Sequence, residues 1–284
     1  MAETPVRRAP ATTRLTVVRT EPLTPHMVRV VLGGDQFDRF ADNGCTDRYV
    51  KLVFPRPGVT YPAPLDMAEI RRTLPADQWP RVRTYTVRRY DPARRQLAID
   101  FVLHGDRGVA GPWAAAAQPG DELTLLGPGG AYAPRADVDG HLLVGDEAAL
   151  PAIGSALEAM PAGVPVRVLV EVAGPAEQQP LPSPGDVSLT WLHRDAPGDS
   201  LVAAVHDLTL PRGTVQAFVH GELAAMRELR PHLLDDRAIP ADLLSLSGYW
   251  RRGKDEDGFQ AEKAEDARRT RDQEQAPAPA PSAS

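Results

Sequence analysis

Six consecutive residues, Arg83-Thr84-Tyr85-Thr86-Val87-Arg88, concentrate cationic, aromatic and hydroxyl side chains on one β-rich stretch. An arginine fork donates two hydrogen bonds at once to a phosphate. A tyrosine offers a flat face to a ring or its side chain, and a threonine hydroxyl reaches a polar ring edge. Arg83, Tyr85 and Thr86, with Arg88 closing the run, therefore supply the side-chain types that a flavin and its pyrophosphate require. A basic surface strand of alternating polar and apolar residues has the same composition. On this segment alone both readings stand.

A second signal follows downstream. His104-Gly105-Asp106-Arg107-Gly108-Val109-Ala110-Gly111-Pro112-Trp113 leads into the Ala-rich run Ala114–Ala117. Glycines ahead of a helix let backbone N–H groups approach a phosphate, and the helix dipole favours an anion there. The plainer reading is a strand-to-helix loop with Trp113 filling the core. Further on, Gly145-Asp146-Glu147-Ala148 stands where an apolar run gives way to helical sequence. The carboxyl edge of an α/β sheet is where such folds bind nucleotides. Asp146 and Glu147 disfavour a phosphate directly against them, and no GxGxxG is present, so this turn is assigned to the nicotinamide face. A buried turn is the competing reading. Tyr249-Trp250-Arg251-Arg252-Gly253-Lys254 joins aromatic surface to three cations, which suits an anionic substrate or a 2′-phosphate. Trp250 packing the last strand beside solvated arginines is the alternative. Lys51, in DRYVKLVF, is a further cation on the first half of the chain, with an exposed strand lysine as the alternative.

Taken in order, RTYTVR, DFVLHGDRG, the Trp-Ala helix start, QPGDEL, LLGPGG, GDEAALPAI, WLHR, HGE and SGYWRRG resemble the siderophore-interacting protein family. That family lies in the wider ferredoxin–NADP reductase group, and the resemblance spans about residues 12 to 255. It implies FAD on a barrel, and a reductase that passes electrons from NADPH or NADH to a ferric siderophore. Carried over position by position, Arg83, Tyr85, Thr86 and Arg88 match the flavin strand, His104 a flavin-site histidine, and Gly108 to Trp113 the pyrophosphate loop. The sequence departs from the family at Gly111, where a small hydroxyl residue is usual, and at Ala148, where threonine is common. Flavin chemistry needs no side chain as nucleophile or general base, so no catalytic residue is assigned. Other readings are a general flavin or quinone reductase, a siderophore-binding module without turnover, and a reductase fed by ferredoxin.

The elements that must position these residues change character midway. Short β-rich runs at 14–19, 27–32, 49–54, 83–88, 96–103 and 122–126, separated by Pro and Gly clusters, predict an antiparallel, Greek-key-like β-barrel over residues 12–135. Pro-rich 55–80 reads as a long connection. From 136 to 253, strands at 141–145, 166–172, 187–193, 215–220 and 243–246 alternate with helical runs at 148–160, 200–208 and 222–237. That alternation predicts an α/β domain with a mainly parallel sheet. Pro231 interrupts the last helical run. Residues 254–284 read as a charged, Pro/Ala-rich tail, disordered except for a few helical turns.

Composition narrows the class. Hydrophobic residues make up 42%, enough for a packed core. The net charge is −6, while Arg81, Arg83, Arg88, Arg89, Arg94 and Arg95 crowd one stretch with Asp91. This balance favours a small anionic ligand over nucleic acid. One cysteine excludes an intramolecular disulfide and a cysteine-ligated iron–sulfur cluster within the chain, and seven scattered histidines show no metal-site spacing. No run reaches the ~18 apolar residues of a membrane helix, and no signal peptide is read at the start. A cytoplasmic monomer is expected.

Overall fold

The computed structural model describes residues 12–105, 108–196, 198, 200–254 and 258. The tail expected beyond 254 lies, apart from residue 258, outside them, as do Asp106 and Arg107. Six antiparallel strands close into a barrel: β1 (Thr12–Thr24), β2 (Met27–Gly33), β3 (Tyr49–Phe54), β4 (Arg81–Asp91), β5 (Gln96–Val102) and β6 (Glu122–Gly129). Their order around the barrel is β1-β2-β5-β4-β3-β6. Alternating inward side chains, among them Leu15, Val30, Leu52, Ile99, Phe101 and Leu125, fill it with a continuous apolar core. Closure leaves no unpaired edge in this half.

Among the described residues, two α-helices belong to the barrel half. The helix α1 (Met67–Thr73) lies in the Pro-rich stretch read as a plain connection. Asp66 caps it, accepting from the amides of Ala68 and Glu69. The Asp-x-x-Glu spacing was a usable start signal, masked by the prolines around it. The second, α2 (Ala110–Ala116), begins four residues earlier than the Ala-rich run suggests.

The second half is a five-stranded parallel sheet. Its strands are β7 (Gly140–Asp146), β8 (Pro165–Val172), β9 (Asp186–His193), β10 (Val215–Glu222) and β11 (Leu244–Trp250). They lie in the order β11-β10-β7-β8-β9, all pairs parallel. Such an order reverses direction between β7 and β10, the switch point at which these sheets bind ligands. One face packs on α3 (Leu150–Glu158) and the other on α4 (Leu201–Asp207) and α5 (Leu223–Pro231). The helical run expected to reach 237 stops as an α-helix at Pro231 and continues as one wide turn, His232–Asp236. The last strand runs four residues past its expected end, so Tyr249 and Trp250 sit on it rather than after it.

The halves meet through α3 and the β1–β2 turn. Met27 joins the apolar cluster formed by α3 and the sheet, with Leu23 packed against it. Buried Glu177 accepts hydrogen bonds from Thr24 Oγ1 and, at 2.6 Å, from the His26 ring.

Candidate functional site

A cleft of about 800 Å³ opens where the barrel meets the carboxyl edge of the sheet. Its barrel wall carries Lys51 of β3, Thr84, Tyr85 and Thr86 of β4, Asp100 and Val102 of β5, and His104. The opposite wall carries Glu147 and Ala148 after β7, Arg194 after β9, His220 of β10, and Ser245–Trp250 of β11, with Lys254 beyond. The volume falls in the upper part of the range of small-molecule sites, roughly 300–1,000 Å³.

Aromatic rings line it from both sides. Tyr85 packs on Phe101 with centroids 4.5 Å apart, so one ring face rests on the barrel core while the residue lines the cleft. Tyr249 lies 4.8 Å from the His220 ring, which stacks on Phe218 at 4.0 Å. Burial raises the Tyr249 phenol well above its usual range, with a hydrogen bond to Thr86 acting the other way. At neutral pH this group is an uncharged phenol.

The charges of the cleft are mixed. Arg194 donates to both oxygens of Glu147, at 3.1 and 2.7 Å, and to Glu171 at 2.9 Å. Those bonds, Glu147's first, hold its pKa above the usual value. Asp100 is bound in a fork by Arg29 at 2.7 and 2.8 Å. Desolvation lowers the His104 pKa, so its imidazole is a neutral hydrogen-bonding group at pH 7. Lys51 and Lys254 add cations on opposite walls. Aromatic face, hydroxyls, a neutral imidazole and peripheral lysines form a donor set that fits a flat heteroaromatic ring with a polar rim.

Not every expected site residue reaches this cleft. Tyr85, Thr86, His104, Glu147, Tyr249, Trp250 and Lys51 line it. Arg83 is buried outside its lining, donating to the Val82 carbonyl at 2.8 Å. Arg88 points elsewhere. A register shift between Val87 and Arg89 makes it the extra residue of a bulge, and bulges re-aim side chains. Its guanidinium reaches Glu158 of α3 at 2.7 Å. Gly108, at φ 81°, Val109, Ala110 and Gly111 form the entry to α2 beside the cleft lining rather than in it. Gly108 faces open space, whereas Trp113 packs its ring on Phe54 and Phe101. Gly145 is a packing glycine, since a Cβ would lie 2.5 Å from the Ala149 Cβ and 2.7 Å from the His220 carbonyl. Asp146 is buried behind the lining. Arg251 and Arg252 follow β11 outside the lining, with the Arg252 amide on Glu222.

The basic stretch around β4 is largely neutralised. Arg89 pairs with Glu158 at 3.4 Å, Arg94 with Asp91 at 3.0 Å and Arg95 with Asp38 at 2.6 Å. Sequence reasoning missed Asp47, Tyr49, Asp100, Arg194 and His220 as lining residues. All five stand inside segments already singled out: Asp47 and Tyr49 in DRYVKLVF, Asp100 in DFVLHGDRG, Arg194 in WLHR and His220 in HGE. What the sequence did not show is their orientation; Asp47, for one, is held by accepting the amides of Ala131 and Tyr132 far along the chain. Among the described residues no group of three or more His, Cys, Asp or Glu could hold a metal, and no helix is long and apolar enough to cross a membrane.

Residues 16–132 match the siderophore-interacting FAD-binding domain, and residues 138–253 match the siderophore-interacting protein domain. The chain is 34% identical over 239 residues to the NADPH-dependent ferric-chelate reductase of Escherichia coli, covering 83% of this chain and 91% of that protein. It is 32% identical over 256 residues to the ferric vibriobactin reductase of Vibrio cholerae, covering 88% and 93%. A solved siderophore utilization protein from T. fusca superposes with a TM-score of 0.74 at 37% identity, over 86% of this chain and 94% of that one.

Proposed function

We propose, for a chain that belongs to the siderophore-interacting protein family, an FAD-dependent reductase that takes electrons from NADPH or NADH, reduces a ferric siderophore and releases iron as Fe(II) in the cytoplasm. The observation that carries this reading is the shared cleft, with a flavin-type wall on the barrel and the switch point of a nucleotide-type sheet facing it. When bound, FAD supplies the conversion of a two-electron hydride donor into one-electron transfers to Fe(III).

The side chains then position and tune. Tyr85 would offer its face to a bound ring, and the Thr84 and Thr86 hydroxyls would meet a polar edge. Arg83 and the Gly108–Trp113 segment are assigned to the pyrophosphate, beyond the cleft itself. Glu147 and Ala148, at the end of β7, are assigned to the nicotinamide. Tyr249 and Trp250, on the sheet side of the cleft, would shield a bound ring from water. Lys51, Lys254, Arg251 and Arg252 attract an anionic ferric chelate over a distance of about one Debye length, ~8–10 Å at moderate salt. The pairing of Arg89, Arg94 and Arg95 with Glu158, Asp91 and Asp38 weakens the case for a ferredoxin-fed variation at β4.

The test is the visible spectrum of the purified protein under anaerobic conditions. Flavin bands that bleach with NADPH or NADH and return with a ferric siderophore are the expected result. A protein that neither carries nor takes up flavin would falsify the proposal. Bound flavin that no nucleotide bleaches removes the donor assignment.

A further inference from the structure

Asp146 ends β7 with its side chain enclosed, 3% of the residue remaining exposed. Its Oδ1 accepts the Ala148 amide at 2.9 Å. Its Oδ2 accepts the Glu222 amide at 3.0 Å and the Trp250 indole N–H at 2.7 Å. Glu222 and Trp250 are the last residues of β10 and β11, the next two strands along the sheet. One carboxylate thus laces the carboxyl ends of three neighbouring strands. Gly221 leaves it room, because a Cβ there would lie 2.8 Å from Oδ2. Ala148 and Trp250 line the cleft, whereas Asp146 does not.

We infer that Asp146 is a positioning residue, which acts on the cleft through the Trp250 indole and the Ala148 amide and sets the direction in which residues 251–254 leave the sheet. A hydrogen bond to a carboxylate is among the stronger fixed contacts available to an indole. Trp250 has one such donor, and burying it without a partner is costly. Lys254 lies four chain steps beyond Trp250, a reach of at most about 14 Å. The anchor therefore limits where the terminal cations stand relative to the cleft. Burial also pushes the carboxyl up to about 6, against the pull of its Trp250 and Ala148 donors. The assignment goes beyond the reductase reading and does not require that the cleft take a particular ligand.

The experiment uses the full chain with its flavin and two variants, Asp146→Asn and Trp250→Phe. The first replaces an acceptor by a group that sets N–H against N–H; the second keeps a ring and deletes the donor. Amide hydrogen exchange across 249–254 should speed up by about tenfold in both, the loss expected for one hydrogen bond to a charged group. The β2 and β5 amides should be unchanged. With a ferric trihydroxamate as acceptor, Asp146→Asn should raise KM several-fold while kcat stays near that of the parent, and the double variant should exchange across 249–254 like Asp146→Asn. Unchanged exchange at 249–254, or an equal rise throughout the barrel in both variants, overturns the inference. A parent protein that reduces no ferric chelate defeats the reductase reading, while the exchange arm still decides this one.

Discussion

Removing the Glu158 carboxylate leaves a buried guanidinium without its partner at the junction of barrel and sheet. Arg88 is 7% exposed, its Nη2 bonds Glu158 at 2.7 Å, and among the described residues its Nη1 has no hydrogen-bond partner. Gly154 packs against the same group, since a Cβ there would come within 2.8 Å of Nε. Breaking a fully buried pair costs about 3–5 kcal/mol, because the surviving charge is unpaired. Exposed pairs contribute about 0–1 kcal/mol. The Glu158 side chain keeps 33% of its surface, so water takes over part of its role. Between these limits, Glu158→Ala should cost about 2 kcal/mol. For a chain of this size that lowers Tm by about 4–8 °C. Urea and thermal unfolding, with an Arg88→Leu double-mutant cycle, measure the cost and its coupling, and bound flavin should be unchanged. A cost below about 0.5 kcal/mol would mean a solvated pair. Flavin loss matching that of Arg83→Ala would instead place the Arg88 guanidinium at the cofactor. Either result refutes the reasoning.

Three further outcomes are expected. Arg83→Ala should weaken FAD retention, read as the flavin-to-protein absorbance ratio after dialysis, and unchanged occupancy removes Arg83 from the pyrophosphate site. Gly145→Ala should destabilise the fold by about 1–3 kcal/mol through overpacking against Ala149 and His220, a shift that the urea midpoint reports. His141 is buried in β7, and desolvation lowers its pKa, so the folded chain holds it neutral. The unfolded chain protonates it near the usual value, about 6.5. Its contribution is therefore complete above that pH and declines as pH falls below it. His141→Leu should flatten this part of the stability–pH curve, and an unaltered slope counts against the assignment.

The strands were legible because their signals are local. Short β-rich apolar runs such as Met27–Leu32, Tyr49–Phe54 and HLLVG depend only on neighbours a few residues away. The barrel followed by a parallel sheet came from the same source, as did the residue types at Arg83–Arg88 and Tyr249–Trp250. The helix at Met67–Thr73 escaped because it buries Ile70 as its one fully enclosed residue, giving no periodicity to read.

What a side chain faces was another matter. Arg88 and Thr86 belong to one motif, yet a bulge sends Arg88 to α3 while Thr86 stays in the cleft. Asp146 looked like a ligand-facing acid beside Glu147, but Trp250, 104 residues away in the chain, encloses it. Arg194 meets Glu147 and Glu171 only because β7, β8 and β9 are adjacent in the sheet. Sequence by itself determined which segments become strands and which chemistry their residues carry, since both follow from local periodicity and side-chain type. Tertiary structure alone decided which of those residues share a cleft, since that rests on strand order, one bulge and contacts between residues far apart in the chain.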